Sequence, residues 1–405
     1  MTPGPVSVVL SGIGGMGGVY LQVLLEKHRE ESLRIEGVVD PVPGRSPHIG
    51  RLKELGVPIY PDLEGFYGRH EAEFAVISSP IQFHAPQTCL ALERGSSVLC
   101  EKPAAATVQE VRRMIEARDR AARRVSVGYQ WSFSQAIQDL KEDIRHGRFG
   151  AAQRLRCLYL WPRDFAYYGR NDWAGKRRDA AGTWVLDSPA NNAMAHDLHN
   201  MFYVLGRDID ASAVPVEVEA ELYRAYNIQN FDTAAVRIRL ETGAEILFLV
   251  SHVSREDSGP VFGYEFDRGT LTGRGRKSEA RARFTDGSER NYGSPDIDPL
   301  KKLDDGLAAV RSGAAPVCGL EAAMSQTLAL DGLQDAMPDV AEFPASLVRT
   351  EPTPAGGRLW VEGLDEILFR CYEERRLPSE LGAPWSRKAG RIDLRSYRHF
   401  PSISA

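Results

Sequence analysis

Cysteine is scarce. The chain has five in 405 residues, at positions 89, 100, 157, 318 and 371, an odd number with no C-x-x-C spacing. Such a set excludes a disulfide scaffold or a structural zinc site and reads as reduced, mostly buried thiols. An excess of one charge is also missing: 50 Lys and Arg stand against 55 Asp and Glu, and the net charge of −5 is spread along the chain. That balance gives no electrostatic case for binding nucleic acid or an anionic membrane. Long apolar runs are absent, so no window is long enough to cross a bilayer as a helix. The stretch Met1–Val6 carries no basic residues, and the apolar run after it is broken by Ser11 and a glycine cluster, which fits neither a signal peptide nor a span. The expectation is a soluble, cytoplasmic protein. No internal repeat or low-complexity tract is present.

What remains is ordinary globular composition, 43% apolar and 26% charged, in a chain too long for one core. Up to residue 128, strand and helix patterns alternate. Val6–Leu10, Ile35–Val39, Phe74–Ile77, Val98–Cys100 and Val125–Val127 read as strands. Leu21, Leu24 and Leu25 lie at helical spacing, and Thr107-Val-Gln-Glu110 is a capping box opening another helix. This rhythm predicts a doubly wound parallel sheet. Past Gly128 it changes. A helix is expected from Ser134 to His146, then strands near Leu155–Leu160, Val216–Tyr226, Ala234–Leu240, Glu245–Val253, Gly263–Phe266 and Ala280–Phe284, almost without helices between the later ones. Helices return over Pro299–Asp335 and again at Val361–Glu374.

The fold class is therefore α/β: an N-terminal Rossmann domain over residues 1–128, then an α+β domain over 129–405 with a large, open, mainly antiparallel sheet and a C-terminal extension. An unshielded sheet face would be a natural surface for a homodimer or homotetramer. The last 25 residues, rich in Pro, Arg and Gly, are expected to wrap the surface or a second subunit.

The chemistry begins at Gly12-Ile13-Gly14-Gly15-Met16-Gly17, directly after a strand and opening a helix. Gly12 allows the tight turn, Gly14 the close approach of a pyrophosphate, and Gly17 the packing of helix on strand. Helix-start amides and the helix dipole then face the phosphates. Asp40, 23 residues after Gly17 at the end of the second strand, can accept both hydroxyls of an adenosine ribose. Its charge would repel a 2′-phosphate, so NAD is expected over NADP, with Arg45 near enough in sequence to weaken that preference.

Ile77-Ser-Ser79-Pro80, His84, then Gly95-Ser-Ser-Val-Leu-Cys-Glu101-Lys102-Pro103 and Gly128-Tyr-Gln130 resemble the glucose-fructose oxidoreductase/inositol dehydrogenase/MocA family over roughly the first 330 residues. The resemblance implies an NAD(P)-dependent oxidoreductase acting on a small carbohydrate. It implies that Ser79, Pro80, His84 and Gln130 line the cofactor, that Glu101 holds the nicotinamide ribose, that Lys102 faces the reacting carbon, and that Pro103 follows a cis bond. Physical chemistry agrees for the lysine, since a cation beside a developing alkoxide stabilises it and partial burial favours proton release.

The family's second element is an Asp followed four residues later by His. Counting back from Leu205-Gly206 places His196 and Asn192 there, whereas counting forward from Gly182 places Asp187 and Asn191 there. The backward count is preferred because helix registers resist insertion. On a helical wheel Met194, Leu198, Met201 and Leu205 form one stripe, and Asn192, His196, His199 and Tyr203 the opposite face, which is expected to look into a cleft or water. His196 is the candidate acid–base residue. His196 and His199 with Asp187 or Asp197 offer no third spaced metal ligand, so no metal is expected. The run from Trp161 to Lys176, with Arg163, Tyr168, Arg170 and Trp173, reads as a substrate wall on which rings stack on sugar faces. With Asp187, Asn191, Asn192 and His199 it makes the candidate substrate site, and its Arg163, Arg170 and Lys176 point to an acidic or phosphorylated sugar.

Three functions follow from this reading: net hydride transfer to or from a sugar, polyol or sugar acid; a tightly bound NAD used transiently for epimerisation, elimination or glycoside cleavage; or a non-catalytic dinucleotide-binding regulator.

Overall fold

The computed structural model describes residues 4–275, 277–354 and 356–402. Its first elements are β1 (Val6–Ser11), α1 (Met16–Arg29), β2 (Leu33–Val39), α2 (Ile49–Glu54), β3 (Ile59–Tyr60), α3 (Leu63–Tyr67), β4 (Phe74–Ile77), α4 (His84–Glu93), β5 (Ser97–Cys100), α5 (Val108–Ala121) and β6 (Val125–Val127). There follow α6 (Gln135–Arg145), β7 (Ala152–Leu160), α7 (Phe165–Gly169), α8 (Ala195–Tyr203), β8 (Pro215–Arg224), β9 (Thr233–Leu240), β10 (Glu245–Ser251), β11 (Ser258–Phe266), β12 (Gly269–Arg274), β13 (Ala280–Phe284) and β14 (Glu289–Gly293). The chain closes with α9 (Lys301–Ser312), α10 (Leu320–Ala336), β15 (Ala341–Glu342), β16 (Val348–Glu351), β17 (Arg358–Val361), α11 (Leu364–Glu374) and β18 (Gly390–Asp393).

The chain divides into two units. One comprises the chain up to Ala105, Gln109–Phe133 and Asp298–Met324; the other comprises Ala106–Val108, Ser134–Ile297 and the chain from Ser325 onward. In the first, six strands run parallel in the order β3-β2-β1-β4-β5-β6. Strands buried on both faces need continuous apolar sequence, and β1 and β4 are buried at every position. The late segment 298–324 belongs to this core. Leu303 of α9 is fully buried with Val8, Leu10 and Phe74, and Gly306 lets α9 approach the Phe74 ring, where a Cβ would lie 2.7 Å away. Cys318 accepts a hydrogen bond from the Val127 amide at 2.8 Å, carrying the chain past the end of β6.

The second unit is built on a ten-stranded sheet, β14-β13-β12-β11-β7-β10-β9-β8-β15, with β18 added beside β8. It is mainly antiparallel, with β7/β10 and β8/β15 parallel. Alternation sets its two faces. Ile246, Phe248 and Val250 of β10, with Val236 and Ile238 of β9, are buried in the core, and α8 packs over β7 on that side. The opposite face carries a lattice of ion pairs in which Glu245 meets Arg154 and Arg237, and Glu219 meets Arg237. On this face α11 lies against β7 and β10. Arg156 stacks on Tyr372 with its guanidinium 4.6 Å from the ring centroid and donates to the Tyr372 carbonyl at 2.8 Å. The tail wraps the same sheet, since β18 pairs antiparallel with β8. Strands β12 and β14 were not foreseen; Gly, Arg and Asn interrupt their patterns. No helix among the described residues is long and apolar enough to cross a membrane.

The second unit also buries Asp197 on α8. Burial pushes its carboxyl up to about 8, with the charge of Asp296 adding to the rise against the pull of its own backbone amide. The unfolded carboxyl loses its proton near pH 4, so the folded chain binds the extra proton between there and about pH 8 and loses stability as pH rises through that window. Asp197→Asn removes that slope. Its melting temperature should gain steadily on the wild type from pH 5 to pH 8, and a constant difference across that range would contradict the assignment.

Candidate functional site

The first unit gathers its chemistry where the parallel strands end. Gly12 follows β1, Asp40 follows β2, Ser79 comes two residues after β4, Glu101 follows β5 and Gly128 follows β6. In this strand order the direction in which successive strands are added reverses between β1 and β4, the place where open parallel sheets hold ligands. Gly12 adopts φ +81°, and a Cβ there would meet the Ser78 carbonyl oxygen at 2.6 Å. At Gly17 a Cβ would lie 1.9 Å from the Gly12 oxygen, so helix and loop touch directly. Gly14 and Gly15 are exposed, with nothing within 4 Å of where a Cβ would stand. Ile13 is buried, Met16 half-buried, and no acid occupies the first turn of α1 to oppose its dipole.

Asp40 holds this loop. Its Oδ2 accepts the Ile13 amide at 3.1 Å and its Oδ1 the Val42 amide at 2.8 Å. These residues fit a dinucleotide: a bare glycine cradle, an unopposed helix start, and a half-buried carboxylate at the end of β2. Arg45 is exposed in the 3₁₀ turn that follows. Ser79 and Pro80 are half-buried at the end of β4, with the Ser79 hydroxyl donating to Gln87 at 2.7 Å, and Gln130 is half-buried in the turn after β6. His84 lies beneath these loops. It is buried, and its ring bridges the carbonyls of Pro103 and Ser79 at 2.7 and 2.9 Å, tying the two loops together from within instead of presenting a ring at the surface. Burial holds its protonation constant below the ordinary value, against the pull of those two carbonyls.

The Lys102–Pro103 bond is cis, and Lys102 is half-buried with its side chain engaged. Glu101 is buried and spends both oxygens inside the unit. Its Oε2 accepts the Lys102 amide at 3.1 Å, while its Oε1 accepts the Tyr20 hydroxyl at 2.5 Å and the ammonium of Lys302. Burial alone would raise the Glu101 pKa, but Lys302, then Lys102 and the hydrogen bonds, outweigh it and bring the carboxyl down to about 2. Burial and the adjacent carboxylate push the Tyr20 phenol well above its ordinary value, so it stays a donor. Gly128 makes room, since a Cβ there would lie 2.8 Å from Glu101 Oε1.

Neither Tyr20 nor Lys302 was a sequence candidate. A signal existed for Lys302: it shares a helical stripe with Gly306 and Ala309, all buried, and a lysine on the apolar stripe of an amphipathic helix needs an anion.

In the second unit the Trp161–Trp173 segment forms an alternating stack. Arg163 lies 3.6 Å from the Trp161 ring centroid and 4.5 Å from that of Tyr167, and Arg170 lies 3.8 Å from Tyr167 and 5.2 Å from Trp173. Rings that cover guanidinium faces leave the N–H edges to direct hydrogen bonds. Arg170 also approaches Asp187 at 3.8 Å. Below the stack the Tyr168 hydroxyl meets Nδ1 of buried His252 at 2.9 Å. Burial, then the charges of Arg163 and Arg170, depress the His252 pKa well below its ordinary value, so the ring is neutral. His252 was also missed, since a lone histidine at a strand end carries no pattern.

Three sequence candidates are buried and already committed. Asp187 accepts the Gly175 amide and the Asn192 side chain at 2.7 and 2.8 Å. Asn191 donates to the Leu186 carbonyl at 3.1 Å within a single π-helical turn, Pro189–Ala193. His199 corrects the helical-wheel reading. It is fully buried, stacked on Tyr203 at 5.6 Å, because α8 is covered on both sides; the Lys141 ammonium sits 3.5 Å over the same Tyr203 ring. Burial, then Lys141, holds His199 well below its ordinary pKa. Of α8 only His196 is not buried. Among the described residues no group of His, Cys, Asp and Glu is gathered to hold a metal ion.

The glycine geometry separates two roles by experiment. Gly14→Val adds a side chain into open space, so its melting temperature should match the wild type while nucleotide affinity falls more than tenfold. Gly17→Ala collides with backbone, so its melting temperature itself should drop. Both are read by thermal melts and nucleotide titration, and unimpaired binding by Gly14→Val would remove the cradle.

Residues 6–129 match the model of an oxidoreductase family with an NAD-binding Rossmann fold. A 1-carboxy-3-chloro-3,4-dihydroxycyclohexa-1,5-diene dehydrogenase of Comamonas testosteroni is 34% identical over 156 residues, 38% of this chain and 37% of that protein. An inositol 2-dehydrogenase of Rubrobacter xylanophilus is 27% identical over 206 residues, 51% of this chain and 54% of that one. The chain thus spans between about a third and about half of the length of these relatives. Solved structures extend the likeness in fold. The WlbA dehydrogenase of Bordetella pertussis, in complex with NADH and UDP-GlcNAcA, superposes with TM-score 0.65 at 20% identity over 80% of this chain and 94% of its own. The aldose-aldose oxidoreductase of Caulobacter crescentus, complexed with glycerol, gives 0.62 at 17% over 80% and 94%. The resemblance drawn from Glu101-Lys102-Pro103 and the glycine loop agrees with this match: residues 6–129 are similar to the NAD-binding Rossmann domain of the Gfo/Idh/MocA oxidoreductases.

Proposed function

We propose that the chain is a nicotinamide-dependent dehydrogenase acting on a CH–OH group of an acidic or phosphorylated sugar, with Lys102 as the proton-handling group. The observation that carries this reading is the placement, in one unit, of the bare glycine cradle after β1, the Asp40 carboxylate after β2 and Lys102 after β5, around the point where strand order reverses. A bound nicotinamide supplies the hydride acceptor and donor. The protein supplies the rest. As the carbinol C–H bond yields its hydride, the neutral Lys102 amine takes the hydroxyl proton, and in the reverse direction its ammonium returns that proton to the carbonyl oxygen. Asp40 favours an unphosphorylated ribose, hence NAD over NADP. His196, alone in α8 in not being buried, is proposed as a second acid–base group.

The anionic character of the substrate rests on the Trp161–Arg163–Tyr167–Arg170–Trp173 stack. Indole and phenol faces suit the C–H faces of a pyranose, and guanidinium edges suit a carboxylate or phosphate. The acidic sugar nucleotide bound to the WlbA dehydrogenase is compatible with the same class.

In thermal melts NAD should stabilise the protein more than NADP at equal concentration, since a ligand of the folded state raises the melting temperature by mass action. Lys102→Ala should retain the NAD shift and lose turnover by about 10²- to 10⁴-fold. Full turnover in that variant would end the reading. With NAD present, D-glucuronate or D-glucose 6-phosphate should stabilise more than D-glucose, and Arg163→Met should abolish the difference. Equal shifts for charged and neutral sugars in the wild type would overturn the anionic assignment.

A further inference from the structure

Lys302 is the second residue of α9, and its side chain is 1% exposed. A lysine so placed keeps its charge only beside an anion with its remaining protons satisfied. Both conditions are met. Its ammonium donates to Glu101 Oε1 and, at 3.1 Å, to the Gly128 carbonyl, and it lies 5.3 Å from the Tyr20 ring centroid. The carboxylate it meets belongs to the residue before Lys102, and the second oxygen of that carboxylate receives the Lys102 amide. The groups acting on Glu101 come from every element around it: Tyr20 of α1, His84 of α4, Cys100 of β5, Tyr129 after β6, Lys302 of α9, and Lys102. Burial keeps Tyr20, Tyr129 and Cys100 protonated and lowers the proton affinity of His84 against the pull of two carbonyls. The two lysines in this set, both acting on Glu101, are Lys302 and Lys102.

We propose that Lys302 is a positioning residue for Lys102: by serving as the counter-ion of Glu101 it prevents that carboxylate from holding Lys102 permanently as an ammonium. The inference rests on the reading of Lys102 as the proton carrier. Lys102 and Glu101 act on one another electrostatically, and a buried, uncompensated carboxylate favours the charged form of a neighbouring amine. Paired with Lys302, the same carboxylate presents a dipole instead of a full negative charge, and Lys102 can release and recover a proton at lower pH. Tyr20 and the bare Gly128 complete the arrangement by fixing the Oε1 end, so the Oε2 end stays on the Lys102 backbone and sets where the reactive side chain begins. This also accounts for a chain segment nearly two hundred residues downstream folding into the first unit: it delivers the cation.

The test needs neither substrate nor cofactor. The full-length protein is labelled with trace acetic anhydride between pH 6 and pH 11, and acetylation of Lys102 is read by peptide mass spectrometry against exposed Lys53 as internal standard. In Lys302→Met the titration midpoint of Lys102 should rise by about one unit or more. In Lys302→Arg, which keeps the charge, it should stay near the wild-type value. In Glu101→Gln, where Lys302 is left without its anion, it should fall. The opposite signs protect the test against one variant failing to fold, with melting curves as the control. An unmoved midpoint in Lys302→Met, or in Glu101→Gln, overturns the proposal, as does a shift in Lys302→Arg equal to that in Lys302→Met. If Lys102→Ala retains full turnover, the proton-carrier reading fails on its own account. If Lys102→Ala is inactive and the labelling curves do not move, only the role of Lys302 fails.

Discussion

The first unit depends on one buried ion pair. Glu101 and Lys302 are both almost inaccessible, and each would be prohibitively costly alone, because an unpaired charge out of water either loses its ionisation or unfolds its surroundings. Together they are satisfied, with Tyr20 and the Gly128 carbonyl taking up the remaining hydrogen-bonding capacity. That mutual requirement couples the end of β5 to α1, to the turn after β6 and to α9. The residue that follows the carboxylate is the one most suited to chemistry, so the arrangement that stabilises the core also sets the electrostatic surroundings of Lys102.

The second unit manages charge differently. Its outward sheet face pairs Arg and Glu across neighbouring strands in half-buried ion pairs, where each charge has its counter-charge on the next strand. Toward the Trp161–Trp173 segment the cations lie on aromatic faces, which hold a guanidinium without neutralising it. The buried His252 beneath is kept neutral by burial and by those same cations, so the positive charge of the stack is not diluted by a titrating neighbour. Arg170 shares its charge with Asp187 at 3.8 Å while its face stays on Tyr167, so the stack orients it as well as pairing it.

Much of this was legible in local pattern. Gly12 and Gly17 could be assigned from spacing because each answers a backbone requirement within a few residues, and the contact of Asp40 with the loop because strand length sets its distance from it. Lys102 and the bond before Pro103 followed from a short motif. The failures have a common cause. The wheel of α8 separated apolar from polar residues correctly, yet His199 and Tyr203 are as buried as Leu198, because a second layer covers the polar side and Lys141 and Gln138 satisfy it. Likewise α11 was legible as a helix, but its seat on β7 and β10 was not.

Sequence alone determined the element types, the parallel nucleotide-binding sheet and the residues whose role is to shape their own turn, since these are set by interactions within about one element's length. Only the tertiary structure decided that Asp298–Met324 folds with the first unit, that Glu101 is spent on Lys302 and Tyr20, that His84 braces two loops, and that Asp187 and Asn191 are internal supports. The physical reason is that burial and counter-charge are supplied by whatever packs opposite. The stripe of α9 says that Lys302 needs an anion, but which carboxylate meets it is decided only when the chain between it and Glu101 has folded.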